Sequence, residues 1–123
     1  MAWMGGCQSS PQAADEPVPL PAVLTQAELV RTAKQDFQLC VNAFYRDDWK
    51  QASFVADRLK TLSQRWQEQP APSGKQAEFQ ENTAGMARAS EELKSAVDKK
   101  EVDQTTQALR KIAAHLAILE KMP

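Results

Sequence analysis

The sequence predicts an all-α fold: an antiparallel, up-down four-helix bundle over residues 25–123, preceded by a disordered tail over residues 1–24. Four times a small polar residue is followed, three positions later, by Glu or Gln. This is the pattern of a capping box, whose two side chains bind the free N–H groups at a helix start. The four pairs are Thr25 with Glu28, Asp48 with Gln51, Ser73 with Gln76, and Asp98 with Glu101. Each opens a segment of about 20 residues, or roughly 30 Å of helix.

Each segment carries an apolar stripe at the three- and four-residue steps of a bundle helix. We expect helices over residues 26–46, 49–68, 74–97 and 99–121, with Pro70 and Pro72 ending the second. The expected core positions are, helix by helix, Val30, Ala33, Phe37, Cys40, Val41 and Phe44; Trp49, Ala52, Ala56, Leu59, Leu62 and Trp66; Phe79, Met86, Ala89, Leu93, Ala96 and Val97; and Val102, Thr105, Leu109, Ile112, Leu116 and Leu119. No stretch alternates with period two, so no strand is expected. Because the stripes bury one another, we expect no polar machinery inside the bundle.

The composition of the chain argues against two classes of function, nucleic-acid binding and, after residue 24, spanning a membrane. The chain has 123 residues, of which 42% are hydrophobic and 25% charged, and its formal net charge is −1. Nucleic-acid binding usually needs a basic face, and this near-neutral, mixed surface does not provide one. After residue 24, no apolar run approaches the roughly 20 residues that cross a bilayer.

The first residues resemble the end of a bacterial lipoprotein signal. Met4, Gly5 and Gly6 precede Cys7 as an apolar and two small residues precede the acylated cysteine of a lipobox. The resemblance implies a lipid on Cys7, an extracytoplasmic location and, because Gln8 follows, the outer membrane in a Gram-negative cell. The proline-rich stretch over residues 8–21 fits a mobile tether. The alternative is an ordinary terminus with a chance Gly-Gly-Cys.

No side-chain constellation predicts catalysis, so we expect a protein that is not an enzyme, with no metal and no cofactor. His115 is the single histidine. It falls at the edge of the fourth stripe, and the residues around it match neither a phosphotransfer nor a di-iron pattern. Cys40 falls near the middle of the first stripe, so it is expected to be a buried small hydrophobe unrelated to Cys7.

Three apolar side chains fall off the stripes or at a helix end. Phe54 and Leu39 each lie roughly 140° from the centre of their stripe, by the helical repeat of about 100° per residue. Together with Tyr45 they are a candidate partner face if they cluster in space. The alternative is scattered exposed apolar residues, which are common on monomeric proteins.

Two family resemblances follow from the helix positions. The hairpin over residues 79–120 resembles the C-terminal half of the cytochrome c-prime and b-type four-helix bundles, in its apolar spacing and short charged turn. That resemblance implies a haem-ligating histidine late in the last helix, but this position falls near Glu120, and no Cys-x-x-Cys-His is present. The ligand alternative is a haem or other apolar molecule held between the helices near His115, Met86 and Trp66. Residues 48–120 are similar to a family of small, membrane-anchored bacterial helical proteins of unknown function, through Trp49, Ala52 and Trp66.

Taken together, these features predict a non-enzymatic cell-envelope lipoprotein that acts as a helical binding or scaffolding module. Its partners would be the membrane, through the lipid on Cys7, and an envelope protein. The alternative is a carrier of haem or another apolar ligand in a cytochrome-like bundle.

Overall fold

A computed structural model describes Leu20 and residues 24–122, which form four α-helices and no strand. The helices are α1 (Gln26–Tyr45), α2 (Trp49–Gln67), α3 (Gln76–Asp98) and α4 (Val102–Glu120). The predicted all-α, four-helix fold is therefore confirmed. Cys7 and most of the predicted disordered tail lie outside the described residues. Within the tail's predicted range, Leu24 is buried in the core and Leu20 packs against it.

The helices pack in an up-down bundle. Each helix contacts the next one along the chain, and α1 contacts α4 to close the ring. The α1–α4 pair packs least closely of the four neighbouring pairs. The core runs the length of the bundle, and its largest fully buried side chains are Trp66, Phe79, Leu29, Leu59, Leu62, Met86, Leu93, Ile112 and Leu119.

The predicted capping boxes are correct for α1 and wrong for α3 and α4. Thr25 Oγ1 accepts the Glu28 N–H at 3.2 Å, and Glu28 Oε1 accepts the Thr25 N–H at 2.8 Å. Asp48 caps α2. In contrast, α3 begins after Lys75 and α4 after Glu101, neither with a side-chain cap. Two predicted caps lie elsewhere, because Asp98 is the last residue of α3 and Ser73 lies in the preceding loop.

The buried face of α1 differs from the predicted one. The expected stripe included the bulky residues Phe37 and Phe44, which are only partly buried. The buried positions are Leu29, Ala33, Asp36, Cys40 and Ala43. This face is rotated by roughly 70° from the expected stripe, at about 100° per residue. In α4, Val102 is 56% exposed rather than part of the core.

The two tight turns have the same backbone geometry. These turns connect α1 to α2 and α3 to α4. Both α1 and α3 end in a Schellman motif, in which two N–H groups beyond the helix end bind carbonyls of its last turn. The bonds are Asp47 N–H to Phe44 O (3.1 Å) and Asp48 N–H to Ala43 O (2.9 Å) after α1, and Lys100 N–H to Val97 O (3.0 Å) and Glu101 N–H to Ala96 O (2.9 Å) after α3. The motif needs one residue in the left-handed backbone conformation. This residue is Asp47 (φ 58°) after α1 and Lys100 (φ 57°) after α3, rather than glycine.

Replacing Lys100 by Gly should therefore stabilise the protein. A left-handed conformation costs a non-glycine residue about 1–2 kcal/mol, and part of the gain is offset by the greater freedom of Gly in the unfolded chain. We expect the free energy of unfolding to rise by about 0.5–1 kcal/mol in urea denaturation. Asp47→Gly should gain less, because Asp tolerates this region better. Lys99→Gly is the control, since Lys99 has φ −92°; a gain there as large as at Lys100 would contradict the explanation.

Candidate functional site

The loosely packed α1–α4 edge contains an apolar groove. Two depressions of about 220 and 200 Å³ lie end to end along it and share Phe37 and Ala113. We call this surface the α1–α4 groove; it is lined by Lys34, Phe37, Gln38, Phe44 and Tyr45 of α1 and by Thr106, Leu109, Arg110, Ala113, Leu116, Ala117 and Glu120 of α4. From Thr106 to Glu120 it extends for roughly 20 Å at about 1.5 Å per residue.

The groove exists because the two helices present side chains of unequal size. Ala113 and Ala117 are exposed on α4 and too small to fill the space beside α1. On α1, Phe37 and Phe44 are partly buried against the core and leave part of their rings open to the groove. Tyr45 is 79% exposed at one end, and its ring centroid lies 5.7 Å from that of Phe44.

Charged side chains form the rim of the groove. Lys34 Nζ donates to Glu120 Oε2 at 2.6 Å, which links α1 to α4 at one end. Arg110 lies at the other end beside Tyr45 and has no ion-pair partner among residues 24–122. The floor is therefore apolar, while its rim carries charges of both signs.

The structure places Tyr45 apart from the other two residues of the predicted partner face. Phe54 is 55% exposed on α2, whereas Leu39 is partly buried on α1. The Asp36–Arg58 ion pair sets the register of α1 against α2 and places Leu39 and Phe54 at about the same level. Tyr45 lies roughly 120° around α1 from Leu39, in the α1–α4 groove.

The residues of the ligand alternative lie in two different settings. Met86 and Trp66 are fully buried in the core, and Trp66 Nε1 donates to Gln26 Oε1 at 2.9 Å. His115 is at the core boundary, as predicted from its stripe position. None of the three surface depressions described in this section is lined by any of the three residues. Haem or apolar-ligand binding stays a prediction, which haem titration followed by visible absorption would check.

His115 packs against the backbone of α3 at Gly85. A Cβ at position 85 would collide with the imidazole ring. Asn82 Nδ2 donates to the Glu78 carbonyl at 2.8 Å, so its Oδ1 faces His115 Nδ1 at 2.9 Å. Nδ1 must then carry the proton that Asn82 accepts. Burial, and next the charge of Arg88, lower the pKa of His115, while Glu81 opposes them.

A buried ion pair links α1 and α2, and the sequence pattern did not predict it. Arg58 Nε donates to Asp36 Oδ2 at 3.0 Å, and Arg58 Nη2 donates to Asp36 Oδ1 at 3.4 Å. The side chains of Asp36 and Arg58 are only 2% and 11% exposed. The interior of the bundle is therefore not wholly apolar. Burial raises the pKa of Asp36, and the Arg58 guanidinium partly offsets this rise.

Cys40 lies one helical turn after Asp36 and is fully buried, as predicted. Its Sγ lies 3.8 Å from the Ala52 carbonyl oxygen. Burial, together with the nearby Asp36 carboxylate, raises the pKa of the Cys40 thiol to about 12. Because the thiolate is the reactive form, this cysteine is inert at neutral pH.

The largest depression described, about 550 Å³, lies at the end of the bundle between the two tight turns. One of its charged side chains is already engaged: Asp98 accepts from Ser53 Oγ and from the nearby Lys94 Nζ, both at 2.6 Å. This surface is open and polar, so a partner would gain little by removing it from water. We therefore regard the smaller α1–α4 groove as the better candidate site.

Two further observations, on metal-binding groups and on membrane-spanning helices, concern the described residues only. Within residues 24–122, no three His, Cys, Asp or Glu side chains come together in a group that could hold a metal ion. In the same region, no helix combines the length and the apolar character needed to cross a membrane.

Comparisons with protein-family models, curated proteins and solved structures find no significant match for this chain. The family resemblances drawn from the sequence therefore stay predictions, and the function has to be argued from the geometry.

Proposed function

We propose that this protein is a non-enzymatic, lipid-anchored helical binding module of the bacterial cell envelope, and that the α1–α4 groove is its binding surface. The observation that carries the proposal is the groove itself: aromatic and aliphatic side chains open to solvent along two adjacent helices. Amphipathic helices are commonly recognised by laying their apolar face into such a groove.

The dimensions and chemistry of the groove favour a helix over a small molecule. Both depressions are open to solvent along the groove, whereas most small-molecule pockets enclose the greater part of the ligand surface. The groove length of roughly 20 Å corresponds to nearly four turns of helix. Lys34, Arg110 and Glu120 on the rim are positioned to pair with charges at the edges of a partner's apolar face.

A photo-crosslinking amino acid tests the binding surface. Placed at Ala113 in the groove, it should give a discrete adduct with a defined envelope protein in living cells, identified by mass spectrometry. Ile118 is the matched control, because it is also exposed on α4 but lies roughly 140° around the helix. Ala117→Asp should abolish the adduct by placing a charge on the apolar floor. An absence of adducts at Ala113, or the same adducts at both positions, would discard the groove.

The anchoring part of the proposal is supported by the lipobox-like residues ending in Cys7 and by the proline-rich stretch that follows. We expect Cys7→Ser to abolish incorporation of labelled fatty acid and to move the protein from the membrane fraction to the soluble fraction. Cys40→Ala is the control, since Cys40 is buried and unreactive. Retention of label by Cys7→Ser would remove the lipid anchor from the proposal.

A further inference from the structure

We propose that the helix bound in the α1–α4 groove is α4 of a second copy of this chain, which gives a dimer with two-fold symmetry. This inference rests on the binding role proposed above and names its partner. Ala113 and Ala117 lie four residues apart on the groove side of α4, and both are exposed. Helices that meet through small side chains approach at the short end of the usual interaxial range of about 8–10 Å.

The charges at the two ends of this face match those of an antiparallel copy. If Ala113 faces the second copy's Ala117, then the same register sets Arg110 opposite the second copy's Glu120, and the symmetry repeats the pair. Arg110 is exposed and unpaired within residues 24–122. Lys34 holds the Glu120 carboxylate at the groove edge, 2.6 Å away. A parallel copy would instead place Arg110 against Arg110, which is repulsive.

The aromatic wall of the groove supplies the apolar part of the interface. Phe37 and Phe44 are partly buried, and Tyr45 is 79% exposed. A second α4 lying along the groove would cover the exposed parts of these rings with its own alanine face. The two antiparallel α1–α4 pairs would then form a four-helix contact between the subunits.

The size of the groove predicts a weak dimer. A face two helices wide and four turns long covers roughly 400 Å², about half of the ~800 Å² per partner of a standard stable interface. We therefore expect a dimer that dissociates on dilution. Tethering to a common membrane through Cys7 would raise the effective concentration, and it would favour this antiparallel dimer where the tether is long enough for one copy to reverse.

Sedimentation velocity on the full chain tests the dimer. In reducing buffer, which prevents crosslinking through Cys7, the chain should pass from monomer to dimer between micromolar and near-millimolar concentrations. Arg110→Glu and Glu120→Arg should each raise the dimer dissociation constant at least about tenfold, and combining them should restore it to within about threefold. Arg88→Glu is the matched control, because Arg88 is exposed on α3 away from the groove. A monomer at all concentrations, or a dimer that neither charge reversal weakens, would overturn the proposal.

Engineered cysteines test the register independently. In a Cys7→Ser background, a mixture of the Ala113→Cys and Ala117→Cys variants under mild oxidant should crosslink mainly as a mixed 113–117 pair. Crosslinks only between like positions would overturn the antiparallel arrangement.

The photo-crosslinking experiment at Ala113 separates this inference from the proposed binding role. If the adduct contains two copies of this chain, both the dimer and the binding role stand. If the chain is monomeric and the adduct contains a different envelope protein, the dimer is overturned and the binding role stands. A monomer with no adduct at Ala113 overturns both.

Discussion

Replacing Arg58 by Met should lower the free energy of unfolding by about 3 kcal/mol at pH 7, the largest effect that we expect from a single substitution. The change leaves the Asp36 carboxylate, which is 2% exposed, without its guanidinium partner. A buried charge with no partner is strongly destabilising, because its lost hydration is no longer offset. Urea denaturation of the folded chain measures the difference directly.

Two matched variants separate this explanation from a general loss of packing. Asp36→Leu combined with Arg58→Met removes both charges, and its stability should return to that of the unmodified chain or above. Lys111→Met breaks the exposed pair with Glu92, whose Nζ–Oε1 distance is 2.9 Å, and should cost less than about 1 kcal/mol. A double variant no more stable than Arg58→Met alone would contradict the ion-pair account.

The cost of Arg58→Met should also depend on pH. Burial raises the pKa of Asp36 above its usual 3.8 in the folded protein, so the fold favours the neutral acid. The contribution of Asp36 to stability is thus fully present below the unfolded-state pKa and is lost as pH rises through the folded-state value. Without Arg58, the pKa of Asp36 in the folded protein rises further. The difference in the free energy of unfolding between the unmodified chain and Arg58→Met should therefore grow from pH 4 to pH 7. A difference independent of pH would count against a charged Asp36.

Gly85→Ala should destabilise the protein by about 1–3 kcal/mol, although Ala is the better helix former by about 1 kcal/mol. The added Cβ would collide with His115, and its distance to Nδ1 would be only 2.9 Å. The imidazole must swing outward and give up its 2.9 Å hydrogen bond to Asn82 Oδ1. Asn82 is 5% exposed, so its unpaired oxygen adds to the cost.

A double-mutant cycle makes this prediction sharp. In a His115→Ala background the obstacle is gone, and Gly85→Ala should instead stabilise the protein by about 1 kcal/mol, as expected for an unobstructed helix position. The sign of the effect should therefore reverse between the two backgrounds. If Gly85→Ala changes stability equally in both, the ring does not rest on the α3 backbone.

The helices were predictable from the sequence because local patterns determine them. The Thr25–Glu28 capping box and the apolar repeats of α2 and α4 placed those helices to within a few residues. The predicted starts of α3 and α4 came a few residues too early, and the reason is local. Ser73 and Asp98 have the composition of a capping box, but the first lies in a loop and the second ends the preceding helix, where a Schellman motif makes the turn.

The candidate site was only partly predictable, because it depends on how helices pack. Tyr45 was expected on a candidate partner face, but Phe37 was assigned to the core stripe, and the small residues opposite it gave no signal. The pair Asp36 and Arg58 are 22 positions apart in sequence. Neither residue alone predicts burial, since charged side chains are mostly exposed. Only the register of α1 against α2 brings the two together.

The up-down order of the helices would also orient the molecule at a membrane. Residue 24 and the α2–α3 connection lie at one end, and both Schellman turns lie at the opposite end, roughly 30 Å away along α1. A lipid on Cys7 would therefore hold the first end near the bilayer and raise the charged turns away from it. The groove would stand upright, so that two neighbours on the same membrane could meet side by side only if one of them tilted or turned over. The proline-rich tether would have to be long enough for that reversal.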